Sequence, residues 1–315
     1  MYKAENYTWF RQYFIRLLFA VVLLFVAAQF GCSLCSCTVA QRHRIPDKLV
    51  VLAFDDGVKS QATIAAPILK RYGFGASFFV TDAAKYLDAW RDENYMTWDD
   101  IKNLSDDGFE IANHTGRHAK ADKVTKEQFR AELKCIEDLC RQHGIPEPKT
   151  FCFCAGAYSG RALEVLQEKG YLFARRDYRP ELPYIETGRI GLVYDPAEDH
   201  PLLIPATAMA GPTCGYDCLV QAAEMATAGK IAVLTFHGVP DLDHPWVNTD
   251  PAVFEKFMKY LHENGYTVIS LGDLTRYVAP TKGHSDPFEP IARRLGISSE
   301  QVRQTFGEQA QEIKH

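Results

Sequence analysis

Positive charge is not in excess in this 315-residue chain: 35 Lys and Arg stand against 40 Asp and Glu, for a formal net charge of -5. Nothing in that balance favours a phosphate backbone, so no nucleic-acid partner is expected. No internal repeat or low-complexity tract stands out. Six of the nine cysteines lie beyond residue 40, at Cys135, Cys140, Cys152, Cys154, Cys214 and Cys218. None of their spacings is a CxxC pair, which argues against a cysteine-based zinc site. Cys152 and Cys154 fall on one face of an expected strand, as core packing would have them. Cys214 and Cys218 flank a turn-rich stretch and can close a small loop.

What is present is ordinary in amount. A hydrophobic content of 47% and a charged content of 24% describe a globular protein. The length suits one large α/β domain or two small ones.

Residues 1–40 read as an addressing segment rather than part of the fold. Lys3, Arg11 and Arg16 precede an apolar stretch from Leu17 to Ala28, and small residues with Cys32, Cys35 and Cys37 follow. This is the layout of an export signal. Cleavage after Ala40, lipidation at Cys37 and retention as a membrane anchor are all compatible with it. The expected location is therefore outside the cytoplasm: periplasmic, cell-envelope or secreted.

From residue 48 strands and helices alternate. Strands are expected around 49–54, 76–80, 109–113, 150–154, 171–175, 231–236 and 266–270. Helices are expected over 60–72, 126–143, 160–169, 216–228 and 251–264, several closed by glycine. Such alternation predicts an α/β fold with a parallel sheet: a distorted or incomplete (β/α) barrel of about seven parallel strands, spanning 41–280. The stretch 180–212 is irregular and should wrap over one edge. A polar tail, 281–315, reads as a short helical appendage with Val302, Phe306 and Ala310 at helical spacing.

The chemistry-bearing residues fall at strand C-terminal ends. Asp55 and Asp56 follow Leu49-Val50-Val51-Leu52-Ala53-Phe54, His114 follows the third strand, and His237 follows Val233-Leu234-Thr235-Phe236. That rim is where parallel β/α folds build active sites. Two adjacent carboxylates repel unless a cation or proton resolves the conflict. Asp56, His114 and His118 form a three-ligand set for one divalent metal, zinc first, with cobalt or nickel also compatible. Asp55 is then free to act as general base, and His237 suits a general acid. Asp55 as a helix cap and His237 as a hydrogen-bonded strand end are the plainer alternatives.

The segments Phe54-Asp55-Asp56-Gly57, His114-Thr115-Gly116-Arg117-His118 and Leu234-Thr235-Phe236-His237 resemble those of the polysaccharide deacetylases with a NodB homology domain (carbohydrate esterase family 4), in order and separation. The resemblance covers about residues 48–278. It implies a distorted (β/α) barrel, metal-dependent removal of N-acetyl groups from a cell-wall or exopolysaccharide amino sugar, and the residue roles just given.

One family motif is missing. An Arg-x-Pro-Tyr type segment usually follows the fourth strand, its Arg holding the catalytic Asp and a backbone N–H binding the oxyanion. This chain reads Phe151-Cys152-Phe153-Cys154-Ala155-Gly156-Ala157-Tyr158. Gly156 is the expected backbone donor, Arg175 or Arg176 the expected support for Asp55, and Asp177 the expected support for His237. Tyr158 and Trp246 are candidate sugar contacts. The rival functions are a catalytically silent glycan-binding envelope protein and a hydrolase of another non-peptide C–N bond.

Overall fold

A computed structural model describes residues 42–85, 92–182, 190–280 and 286–307. The N-terminal basic and apolar segment, with Cys37 and Ala40, lies outside them, as does Ala310. Among the described residues no helix is long and apolar enough to cross a membrane.

The sequence Leu-Val-Val-Leu-Ala-Phe makes strand β1 (Leu49–Phe54), buried at all six positions. A strand with both faces covered must sit at the centre of a parallel sheet. β1 does so. It pairs along its length with β7 (Ala232–Phe236), in register Val50 with Ala232 through Phe54 with Phe236. Its other edge is shared: Leu49, Val50 and Val51 pair with β8 (Thr267–Ile269), while Ala53 and Phe54 pair with β2 (Ser77–Val80). Beyond β2 follow β3 (Glu110–Asn113), β4 (Thr150–Cys152) and β5 (Phe173–Arg175), every pairing parallel. All seven expected strands are present.

The eighth strand, β6 (Ala208–Met209), pairs with β7 and was not expected from the sequence. Two residues are too few to carry a periodicity. Its neighbourhood closes the sheet. Ile204 bridges Arg175 in parallel, its N–H donating to the Ala174 carbonyl at 2.9 Å, and Ala208 then pairs with Leu234. The stretch expected to wrap an edge therefore joins two edges, giving the distorted (β/α) barrel.

Period-two alternation sorts the core. Leu49, Val51, Ala53, Phe79, Ala112, Phe173, Ile204, Val233 and Ile269 pack together inside the barrel. Val50, Leu52, Phe54, Phe78, Val80 and Leu234 pack outward against helices. Fully burying each large side chain contributes about 1.5–3 kcal/mol. Asp55 continues the inward row 49, 51, 53, which carries its carboxylate to the barrel mouth.

The helices lie where turn chemistry puts them. Residues Ala66–Tyr72 end at Gly73, whose φ of 67° is the left-handed cap that glycine accepts without cost. Lys126–Gln142 opens with a capping box between Thr125 and Gln128. Gly160–Glu168, Tyr216–Glu224 and Pro251–Glu263 match the other expected helices. Trp98–Asp106 is a further helix, not among the expected ones, and Thr97 and Asp100 form its capping box. A Cys214–Cys218 disulfide spans the entry to Tyr216–Glu224.

The tail is more than an appendage. Phe288, which precedes helix Glu289–Leu295, Ile291 and Ala292 within it, and Val302 of helix Ser299–Val302 are buried with Phe151, Tyr158 and Leu163. The Phe288 and Tyr158 rings stack at 6.1 Å.

Candidate active site

The ends of β1, β3, β4, β5 and β7 converge on one pocket. Asp55, Asp56, His114, His118, Ala155, Gly156, Arg175, Asp177, His237 and Trp246 all line it. Of the residues singled out in the sequence, only Arg176 and Tyr158 are absent from its wall.

The corner that holds Asp56, His114 and His118 is built from strained backbone. Asp56 (φ 73°), Thr115 (φ 62°) and His118 (φ 54°) are left-handed without being glycine. Such positions cost of order 1–3 kcal/mol each and persist where surrounding structure holds them. Here Asn113 holds the β3 turn: its Oδ1 accepts the Thr115 N–H at 2.9 Å, and its Nδ2 donates to the Leu133 carbonyl at 2.9 Å. Thr115 Oγ1 in turn accepts the Ala119 N–H at 2.8 Å.

The turn delivers two imidazoles to one carboxylate. His114 Nε2 and His118 Nε2 each lie 3.3 Å from Asp56 Oδ1, an oxygen that accepts no hydrogen bond among the described residues. His114 Nδ1 is 2.9 Å from the Cys152 carbonyl oxygen. That oxygen only accepts, so Nδ1 carries the proton and Nε2 faces the carboxylate either protonated or bound to a cation. Burial penalises a charge on Asp56, yet His118, His114 and His237 outweigh it and hold the carboxyl well below its ordinary range. Burial likewise opposes charge on His118, but the Cys154 thiol and Asp56 raise it to about 10. Cys154 responds in kind: burial pushes its thiol up, while His114 and His118 bring it down to about 6. The corner demands positive charge, and its donors fit a divalent cation. Two other donor groups overlap it, His114 with His118 and Cys154, and Asp55 with His114 and Cys152, each within 4.8 Å.

Asp55 is held from β5, with three strands between it and β1 in the sheet order. Arg175, at the end of β5, donates through Nη2 to Asp55 Oδ2 in a fully buried ion pair. Cys152 stands beside the pair, its Sγ 2.7 Å from Arg175 Nη2 and 3.8 Å from Asp55 Oδ2. Burial and the Asp55 charge push this thiol up to about 11, although Arg175 works against them. Gln61 braces the opposite side. Its Nε2 donates to the Asp55 carbonyl at 2.5 Å and to the His237 carbonyl at 3.3 Å.

Four expected contacts are corrected. Arg176 does not reach Asp55: successive strand residues face opposite ways, and Arg176 is buried against Glu181, at 2.7 Å, and the Leu203 carbonyl. Asp177 does not orient His237. It pairs with Arg179 at 2.7 Å, and His237 Nδ1 makes no hydrogen bond among the described residues. Gly156 spends its N–H on the Phe153 carbonyl at 2.9 Å, closing a turn; Ala155, left-handed at φ 49°, lines the pocket beside it. Tyr158 is core, packed against Phe153 and Phe288. His237 itself stands at the pocket with Nε2 3.7 Å from Asp56 Oδ2. Trp246 is 52% exposed at the mouth. Cys152, Cys154 and Gln61 went unassigned because their directions depend on how strands adjoin, which no local pattern encodes.

Residues 42–174 match the polysaccharide deacetylase family model. The curated polysaccharide deacetylase homologue YxkH of Bacillus subtilis (strain 168) is 24% identical over 136 residues, 43% of this chain and 47% of that protein. The chain thus spans about half the length of the curated relative it matches. Among solved structures, the Bc1960 peptidoglycan N-acetylglucosamine deacetylase superposes with a TM-score of 0.52 at 14% identity, over 76% of this chain and 92% of that one. BA3943, a pseudoenzyme of carbohydrate esterase family 4 from Bacillus anthracis, gives 0.49 at 15% identity, over 74% and 67%. The first of these likenesses establishes the fold.

Proposed function

We propose, from the match of residues 42–174 to the polysaccharide deacetylase family model, that this chain is a metal-dependent hydrolase removing N-acetyl groups from an amino-sugar polysaccharide. The observation that carries the reading is the fixed tautomer of His114, whose Nε2 meets Asp56 Oδ1 at 3.3 Å beside His118. Asp56, His114 and His118 would hold the ion, zinc first, with cobalt or nickel alternatives. When bound, such an ion supplies Lewis acidity and acidifies water.

The remaining work belongs to side chains and backbone. Asp55 removes a proton from the attacking water, its carboxylate kept in place by Arg175. The backbone N–H of Ala155, rather than Gly156, supports the oxyanion. His237 gives a proton to the departing nitrogen as the C–N bond breaks, so acetate and a free amine leave. The sequence layout of residues 1–40 supports export of this domain, and the Cys214–Cys218 disulfide suits an oxidising compartment. Retention at a membrane through the same segment belongs to this proposal.

The test is acetate release from chito-oligosaccharides and peptidoglycan fragments, with metal analysis of the purified protein. Wild type should carry about one equivalent of metal and release acetate. Asp55→Asn and His237→Ala should each reduce turnover by about 10²–10⁴-fold while remaining folded. Wild-type turnover in either variant overturns these roles. Absence of both metal and acetate would favour a silent glycan-binding protein.

A further inference from the structure

Three large hydrophobic residues are exposed among the described residues: Met225, Leu242 and Trp246. Two of them belong to the loop that leaves His237, and Trp246 lines the pocket together with His244. An exposed Trp on a slack loop would mean little. This loop is tightly built.

Asp241 is its hub, only 3% exposed. Its Oδ1 accepts the backbone N–H of Asp243 at 3.1 Å and of His244 at 2.8 Å, and its Oδ2 accepts that of Gly238 at 3.3 Å. Its own N–H donates to Asn248 Oδ1 at 2.8 Å. The same carboxylate stands 3.4 Å from His244 Nδ1. Ser60, from the β1 side, clamps the loop by accepting the Val239 N–H at 2.8 Å and donating to the Pro240 carbonyl at 2.7 Å. Asn94 donates to Asp243 at 2.8 Å. Close packing enforces the shape. A Cβ on Gly238 would meet Asp241 Cα at 2.5 Å, and one on Gly211 would meet the Trp246 carbonyl at 2.9 Å. The outcome is a Trp246 ring edge-on to the His244 imidazole, centroids 5.2 Å apart, beside the candidate catalytic groups.

We propose that residues 238–249 form a preassembled sugar-binding platform, in which Trp246 stacks on a pyranose ring, His244 hydrogen-bonds to the sugar, and Asp241 positions both. An apolar ring beside a polar donor, fixed before the ligand arrives, is what an amphipathic sugar face requires. The Asp241 carboxylate faces the Nδ1 side of the imidazole at 3.4 Å, and the His244 side chain stands in the pocket wall beside Trp246. This inference rests on the deacetylase reading for its ligand class.

The experiment measures calorimetric binding of N-acetylglucosamine oligomers to the Asp55→Asn protein, which cannot consume them, alongside acetate release by wild type. In that background Trp246→Ala should weaken binding about ten-fold and His244→Gln about three- to ten-fold. Trp246 is half exposed, so its truncation spares the core. Asp241→Ala should lose binding, whereas Asp241→Asn, which retains an accepting oxygen for the loop N–H groups, should restore most of it. If the Trp246 and His244 variants bind as tightly as their parent, the platform is wrong and the deacetylase reading survives. If wild type releases no acetate and the parent binds no oligomer, both fall together.

Discussion

The two sides of the pocket were assembled in different ways. On the β1–β3 side, each motif is local: Asp56 lies one residue past its partner carboxylate, and His118 lies four residues past His114 on a turn fixed by Asn113 and Thr115; the parallel pairing of β1, β2 and β3 then brings Asp56 to the two imidazoles. On the β4–β5 side, support for Asp55 arrives from Arg175, 120 residues away in sequence, with Cys152 beside the pair. The contrast teaches that ligands to one ion must share a rigid local frame, while a counter-charge for a carboxylate needs only proximity. Coulomb attraction is tolerant of the direction from which it comes; coordination is not.

The contrast can be broken from its rigid side first. Asp56→Ala should lower metal affinity by more than the roughly 10–100-fold that loss of an outer partner costs, as read by equilibrium dialysis. An unchanged affinity would mean that the cysteine-containing donor groups, not Asp56, hold the ion. On the tolerant side, Arg175→Met leaves Asp55 buried without its partner and should cost about 3–5 kcal/mol in urea unfolding. The paired exchange Cys152→Arg with Arg175→Cys should regain part of the lost acetate release, since Cys152 Sγ already touches both groups. No recovery would show that the β5 route is geometrically obligatory. Gly156→Ala is milder in principle but would place a Cβ 2.1 Å from Asp177 Cγ at a φ of 62°, so a loss of at least about 1 kcal/mol in thermal unfolding is expected. Tyr158→Phe should be smallest, within about 0.5 kcal/mol, because Tyr158 Oη is buried without a hydrogen bond among the described residues.

The same contrast explains what could be read from the sequence. Seven strands were legible because each is an apolar run ending in turn residues. Asp56, His114 and His118 were legible because each sits in a short motif at a strand end. Arg175 was found only as one of two neighbours, and strand alternation decided between them once β5 lay beside β4. Asp177 and Gly156 were assigned by adjacency in the chain, and their actual partners, Arg179 and the Phe153 carbonyl, depend on a turn whose left-handed residues are Ala155 and Gly156. The helix at Trp98–Asp106 carried legible signals as well, a start in Thr97 and Asp100 and buried Ile101 and Leu104 at helical spacing, although the expected helices do not include it. Gln61 looked like any polar residue opening a helix, and only the parallel register of β1 with β7 brings it under both carbonyls.

The docking of Phe288, Ile291 and Val302 against Tyr158 has a practical consequence for handling the protein. A fragment cut near residue 280, where the family resemblance fades, would bare the aromatic surface behind the β4 turn. Such a fragment should aggregate during expression, and the turn bearing Ala155 would lose its backing. Recombinant boundaries belong beyond residue 302.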